Sequence, residues 1–251
     1  MKLKIASFNI SGGFYCGDEK TEYLDRQAVD NIDNSFLKEI IDLINTNEID
    51  IMCFQEIVTT DRVEYISRII KNTNLKYSSI YELSPCNLIK DTNCGLAILS
   101  KYPILVSKKE KFTNPMLSKT TSSGNTYYTY DKGYIICHID LDGKIIKVLT
   151  HHGFPYRRFN SQPENNKRIF EEFDNIIDKE NPDIITGDFN ADNFMALMNY
   201  TRTNYIRTID DITTVDGRKF DDILVSKERI NKSKIIQSLS DHYLIVNEIE
   251  I

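Results

Sequence analysis

Apolar and polar positions change period several times along this chain, and each change marks an element. Over residues 2–10, Leu3 and Ile5 alternate with Lys4 and Ala6, the two-residue period of a strand. Residues 11–34 are polar and read as a loop with a helical turn. Phe36, Leu37, Ile40, Ile41 and Ile44 then recur at helical spacing, with Asn34 or Ser35 placed to cap the helix. Asp50-Ile51-Met52-Cys53-Phe54 is a short apolar run, predicted as a buried strand ending at Gln55-Glu56, and residues 59–71 read as a second helix. Residues 95–99 form another apolar run, closed by the turn Ser100-Lys101-Tyr102-Pro103. Residues 108–131 are polar and rich in Ser and Thr, as in a long loop or a hairpin. Residues 134–140 and 144–150 are two strands joined through Leu141-Asp142-Gly143, because Asp-Gly between alternating apolar runs signals a hairpin. His151-His152-Gly153-Phe154-Pro155 then breaks the strand and starts a loop.

Ile169, Phe170, Phe173, Ile176 and Ile177 mark another amphipathic helix, followed by Asp183-Ile184-Ile185-Thr186 and then Gly187-Asp188-Phe189-Asn190. The earlier order of helix, Asp-Ile, buried strand and terminal acidic residue is thereby repeated. Two half-units that each deliver a carboxylate from a strand end predict a pseudo-symmetric sandwich with one site between its halves. Residues 192–205 read as one helix, and residues 222–225 and 243–251 as the final strands. No linker or low-complexity segment divides the chain, so residues 1–251 are expected to form one domain.

Composition narrows the function only slightly. A charged fraction of 27% and a hydrophobic fraction of 41% in 251 residues describe a globular chain with a sizeable core. The net charge of −6 argues against holding nucleic acid by bulk charge, while a local basic groove stays compatible with it. The cysteines Cys16, Cys53, Cys86, Cys94 and Cys137 are odd in number and form no CxxC pair, which favours a reducing compartment over a disulfide scaffold. With no apolar run long enough to span a membrane, the cytoplasm is the expected location.

Several predicted strands end in polar groups: Asn9, Glu56, His151, Asp188 with Asn190, and Asp241-His242 at the start of the last strand. Any one of these is also what an ordinary strand end looks like. Together they supply what phosphate ester hydrolysis needs, namely groups that hold a cation, orient water and stabilise an oxyanion. Carboxylate and amide oxygens suit Mg²⁺ or Mn²⁺, and no Cys/His cluster suits zinc.

The ordered set FNISG (Asn9), DIMCFQE (Glu56), GLAILSKYPI, LTHHG (His151), IITGDFNA (Asp188, Asn190), KFDDILVS (Asp221) and LSDHYLI (Asp241, His242) resembles the endonuclease/exonuclease/phosphatase superfamily. The resemblance runs from Asn9 to His242. It implies an α/β fold of four layers, two mixed β-sheets packed face to face and flanked by helices, as in DNase I-like phosphoesterases. It further implies that Glu56 is the principal metal ligand, with Asn9 and Asp241 completing or supporting the metal site. Asp188 would orient or deprotonate the attacking water, and Asn190 would hydrogen-bond the phosphate or that water. His242 would contact a phosphoryl oxygen while Asp221 holds its ring, although Asp222 stands next in register. His151 falls where members carry a His or Tyr that donates to the phosphate or leaving group, and His152 is its immediate rival.

Arg157 and Arg158 could form a guanidinium fork for the substrate phosphate, or simply be a solvated pair. Phe154, Tyr156 and Phe159 could stack on a base or sugar, or pack onto the sandwich. The expected activity is metal-dependent hydrolysis of phosphodiesters in nucleic acid or a nucleotide-like ester. The alternatives are a phosphatase for a small phosphorylated molecule, a catalytically inactive binding module, and an unrelated α/β protein with acidic loops.

Overall fold

The computed structural model describes residues 1–13, 34–59, 65–86, 91–226, 229 and 231–251. Its elements in chain order are β1 (Lys2–Asn9), α1 (Asn34–Asn47), β2 (Ile51–Thr59), α2 (Tyr65–Asn72), β3 (Tyr77–Pro85), β4 (Asn93–Ser100) and β5 (Ile104–Lys111). A small hairpin, β6 (Ser118–Thr120) and β7 (Thr126–Tyr128), precedes β8 (Gly133–Leu141) and β9 (Lys144–His152). The remainder is α3 (Lys167–Glu180), β10 (Ile184–Asp188), α4 (Phe194–Leu197), α5 (Asn199–Asn204), β11 (Tyr205–Arg207), β12 (Asp221–Ser226), β13 (Asn231–Ile236) and β14 (Leu244–Glu250).

Two six-stranded mixed sheets result, ordered β13-β14-β1-β2-β4-β3 and β11-β12-β10-β9-β8-β5. Each is built round one parallel pair, β1 with β2 and β9 with β10, flanked by antiparallel neighbours. In both pairs the crossover carries a helix, α1 in one sheet and α3 in the other. Reversing one strand order superimposes β1-β2 on β9-β10, so the repeat read in the sequence is a real pseudo-symmetry of the fold.

Strand alternation sorts the apolar side chains into layers. Leu3, Ile5, Ile51, Cys53, Val148, Ile184, Ile223 and Ile245 face inward and fill the space between the sheets. Their neighbours Phe8, Met52, Phe54 and Val246 face outward onto Phe36, Leu37, Ile40 and Ile44 of α1 and Tyr65, Ile66 and Ile69 of α2. On the other side Leu149, Ile185 and Leu224 meet Ile169, Phe170, Phe173 and Ile177 of α3. The fold is a four-layered α/β sandwich, helix, sheet, sheet, helix.

Several expectations need correction. The second strand does not end at Gln55-Glu56 but continues as β2 through Thr59; residues 60–64 lie outside the described residues, and α2 begins at Tyr65. His151 and His152 do not break the strand before them; they are its last two residues. Residues 108–131 hold the end of β5 and the β6–β7 hairpin. Residues 192–205 form not one helix but α4, α5 and the first residue of β11, with Met198 extended between the helices (φ −124°, ψ 105°). Asp174 of α3 explains the break, because its carboxylate accepts the Tyr200 and Thr201 amides, both at 2.8 Å, and so caps α5 separately. Cys16 and most of the 11–34 loop lie outside the described residues. Cys53, Cys86, Cys94 and Cys137 form no disulfide among the described residues. No helix among the described residues is long and apolar enough to cross a membrane.

Candidate active site

Following the inward-facing positions of the central strands to one end of the sandwich reveals a gradient of polarity. On β1 they run Leu3, Ile5, Ser7, Asn9; on β2, Ile51, Cys53, Gln55; on β9, Val148, Thr150, His152; on β10, Ile184, Thr186, Asp188; on β12, Val225, Ile223, Asp221. Aliphatic residues thus give way to a layer of Ser, Thr and Gln, then to ionisable groups and Asn. The middle layer joins the two sheets, since the Gln55 amide donates to Thr150 Oγ1 at 2.9 Å and to Ser7 Oγ at 3.3 Å. Above it opens a cleft lined by Glu56, Lys132, His152, Asp188, Asp241 and His242.

Glu56 reaches this cleft through a fault in the pleat. Strict alternation would send it outward, since Gln55 already faces in. Instead the β2–β4 register slips between Gln55 and Ile57, Glu56 adopts a left-handed backbone (φ 53°), and Ile57 returns to the outer core. Such a bulge re-aims one side chain, at a backbone cost of about 1–2 kcal/mol for a residue with a Cβ. At Gly187 a Cβ would lie 2.3 Å from the His151 carbonyl oxygen, so only glycine fits between Thr186 and Asp188.

Asp188 is the hub. Its Oδ2 accepts the Asn9 and Asn190 amides, both at 3.1 Å, and its Oδ1 accepts the Asn190 backbone N–H at 2.7 Å. Burial, and then the neighbouring Asp221 charge, raise its pKa to about 7. Asp221 Oδ2 lies 2.8 Å from His242 Nδ1, and His242 Nε2 lies 3.9 Å from Asp188 Oδ2. Burial disfavours the imidazolium, but Asp221 and Asp188 outweigh it and hold the His242 pKa well above the ordinary value. Ser240 fixes this corner by donating to the Asn9 carbonyl at 2.8 Å and accepting the His242 N–H at 3.2 Å.

The two histidines that close β9 part company. His152 lines the cleft, its Nε2 3.5 Å from Asp188 and 3.6 Å from Glu56. Burial first, then Lys132 and His242, keep it neutral with a pKa well below normal. His151 points the other way, into the outer core against Phe173 and Phe189, each at 4.3 Å between ring centroids. Both its ring nitrogens lack partners among the described residues, and burial lowers its pKa to about 3. The expectation that His151 serves the site is corrected: the pleat gives that place to His152.

Other expected residues divide as follows. Glu56, Asp188, Asn190, Asp241 and His242 line the cleft. Asn9 stands behind it, its Oδ1 accepting the Ser11 N–H at 3.0 Å while its amide holds Asp188. Asp221 is the partner of His242, and Asp222 faces outward to Arg207 at 2.5 Å. Of the arginine pair only Arg158 lines the cleft; Arg157 lies 3.6 Å from Asp192 on the surface, so no two-arginine fork forms. Phe154 and Tyr156 are core residues, whereas Phe159 and Tyr130 form part of the cleft wall. Lys132 was not foreseen from the sequence; its Nζ lies 3.0 Å from His152 Nδ1.

These donors suit a hard divalent cation. Glu56, Asp188 and Asp241 face one cleft, Asp188 is pushed toward neutrality by burial and then by the Asp221 charge, and Asp221 Oδ1 is buried with no partner among the described residues. Asp188, Asp221 and His242 also offer atoms within 4.8 Å of one another, although Asp221 and His242 are already bonded together.

Comparison with known proteins agrees with this fold. An endonuclease/exonuclease/phosphatase from Beutenbergia cavernae DSM 12333 superposes with a TM-score of 0.69 at 12% identity, over 100% of this chain and 72% of that one. A family protein from Leptotrichia buccalis C-1013-b gives 0.65 at 16% identity, over 99% and 100% of the two chains. The human Nocturnin catalytic domain with bound sulfate anion gives 0.63 at 15% identity, over 99% and 93%. At such identities these likenesses establish the fold alone, and no curated protein matches by sequence. The family model described as Endonuclease/Exonuclease/phosphatase family matches residues 6–242. The chain belongs to that family.

Proposed function

We propose that this protein is a divalent-metal-dependent phosphoesterase that hydrolyses phosphodiester bonds in nucleic acid or a nucleotide-like ester. The observation that carries the reading is the pairing, in one cleft, of a carboxyl raised to about 7 with an imidazolium locked by a second carboxylate. An acceptor near neutrality can hold water for attack and take its proton at working pH. As water adds to phosphorus and the bond to the leaving oxygen breaks, Asp188 takes the proton and Asn190 keeps its carboxylate aligned. His242, charged and held by Asp221, sits beside the oxygens on which negative charge grows. Neutral His152 donates a ring N–H to a phosphoryl or leaving oxygen.

Glu56 and Asp241, with Asn9 in support, would hold the cation. A bound Mg²⁺ or Mn²⁺ supplies Lewis-acid polarisation of a phosphoryl oxygen. Tyr130 and Phe159 in the cleft wall favour a substrate carrying a planar group beside its phosphate. The second reading, a phosphatase for a small phosphorylated molecule, is favoured by the two cations Lys132 and Arg158 beside one cleft floor.

The test is a Mg²⁺ assay on duplex DNA, single-stranded DNA, RNA, an abasic-site duplex, and nitrophenyl phosphate mono- and diesters, with Glu56→Ala and EDTA controls. Diester cleavage lost in both controls is expected. Cleavage of monoesters alone would replace the first reading by the second, and no metal-dependent cleavage of any member would overturn both.

A further inference from the structure

We propose that Lys132 is a substrate-binding residue of this cleft, its ammonium taking one oxygen of the phosphoryl group; the proposal rests on the phosphoesterase reading above. The residue lines the same cleft as Glu56, Asp188 and His242, and the chain there is firmly held. Its carbonyl accepts the Phe112 N–H at 2.9 Å, and the next residue, Gly133, pairs with His152 across the β8–β9 ladder. A Cβ on Gly133 would lie 2.3 Å from the Glu110 carbonyl oxygen, so the backbone beside Lys132 is pressed against β5.

The ammonium's partners are what single it out. A lysine present only to balance carboxylates would be in contact with one of them, yet among the described residues Lys132 makes no ion pair. Its close neighbour is the His152 ring, at 3.0 Å from Nδ1 and 3.2 Å from Nε2. A neutral imidazole offers a single acceptor nitrogen, whereas an ammonium has three N–H donors. Two donors are therefore unspent inside a cleft whose walls already desolvate the charge, and burial accordingly lowers the Lys132 pKa. A phosphate oxygen is the acceptor that such a group lacks. With Lys132 on one of its oxygens, the phosphoryl group would lie against the donor edge of His152 and within reach of Asp188.

The probe is inorganic phosphate, titrated into the Mg²⁺-loaded protein by calorimetry and by thermal shift, on wild type, Lys132→Met and Lys132→Arg. Activity on a nitrophenyl phosphodiester is measured beside it. Lys132→Met is expected to raise the phosphate Kd and the KM roughly ten- to a hundredfold, the value of one charge-assisted hydrogen bond, while Lys132→Arg recovers part of both. Without phosphate, Lys132→Met should melt no lower than wild type, since it removes an under-partnered charge. Phosphate binding unchanged in Lys132→Met, or absent from wild type, would overturn the proposal. Lys132-dependent phosphate binding in a protein that cuts no ester would defeat the hydrolase reading and leave this one standing. Hydrolysis with an unchanged KM in Lys132→Met would do the reverse.

Discussion

Replacing Asp188 by Asn should abolish activity and remove a pH-dependent loss of stability. The carboxyl titrates at its ordinary 3.8 in the unfolded chain and at about 7 in the folded one, chiefly because it is buried. A carboxyl whose folded pKa is raised contributes stability that is complete below the unfolded value and lost as pH rises through the folded one. Over that whole window the loss is roughly 4 kcal/mol, at about 1.4 kcal/mol per pKa unit. Some of it has gone by pH 5, which leaves roughly 2–3 kcal/mol to be lost between pH 5 and pH 8. Asp188→Asn is neutral throughout and cannot show this slope. The stability difference between variant and wild type should therefore move in the variant's favour by roughly 2–3 kcal/mol across that range, or about 5–10 °C in Tm for a chain this size. The assay is urea unfolding at pH 5, 6, 7 and 8 in EDTA, and comparing slopes cancels any constant cost of the Asn side chain. Mg²⁺ should flatten the wild-type curve and leave the pH slope of the variant's unchanged, because a cation bound at the cleft favours the ionised carboxylate. Parallel curves in EDTA would refute the reasoning, since they would mean that Asp188 ionises in the folded protein at little cost.

Three further outcomes are expected. His152→Ala should lower kcat by about 10²–10⁴, the usual range for a positioned proton donor, whereas His151→Leu should leave kcat within a few-fold of wild type; the opposite ranking in steady-state kinetics would mean that His151, not His152, serves the reaction. Asp221→Asn should lower the His242 pKa, seen by NMR titration of its ring protons, and depress activity most at alkaline pH, because the imidazolium loses the carboxylate that raises it. Asp222→Ala should destabilise the fold by about 3 kcal/mol, as breaking a buried ion pair does, because it removes the carboxylate partner of Arg207 and one acceptor of the Thr208 and Ile223 amides; activity per folded molecule should persist, since Asp222 faces away from the cleft.

Much of this was legible because the central strands announce themselves. The runs at residues 51–54, 95–99 and 184–186 are apolar on both faces, as strands covered by a sheet on one side and helices on the other must be. Their polar terminal residues then mark the end where the sheets part. The less legible elements are the edge strands: β3 and β13 interleave their apolar residues with Ser, Lys and Glu, and β11 is only three residues long. Lys132 escaped notice because Asp-Lys before a strand is also what an ordinary solvated turn looks like. Glu56 was named from the motif, but nothing in the sequence tells that its backbone turns left-handed to deliver it.

The histidine pair shows what kind of reasoning the chain rewards. A motif fixes a neighbourhood, and His151 and His152 satisfy it equally. The pleat is the finer instrument. Val148 and Thr150 face the other sheet, so the next residue in phase is His152, and nothing in the β8–β9 pairing interrupts that count. The same count fails at Glu56, where a bulge spends one residue to bring Gln55 and Glu56 onto the same side. One site residue is thus reached by obeying the alternation and another by breaking it. The break falls where two consecutive polar groups are needed, Gln55 to tie the sheets together and Glu56 to face the cleft. Because a bulge of this kind is stabilised only by what surrounds it, Glu56→Gly should relieve its backbone strain and offset part of the packing lost with the side chain. A melting temperature at or above that of Glu56→Ala, in EDTA, is the expected result. A clearly lower one would show that Glu56 adopts its positive φ without cost.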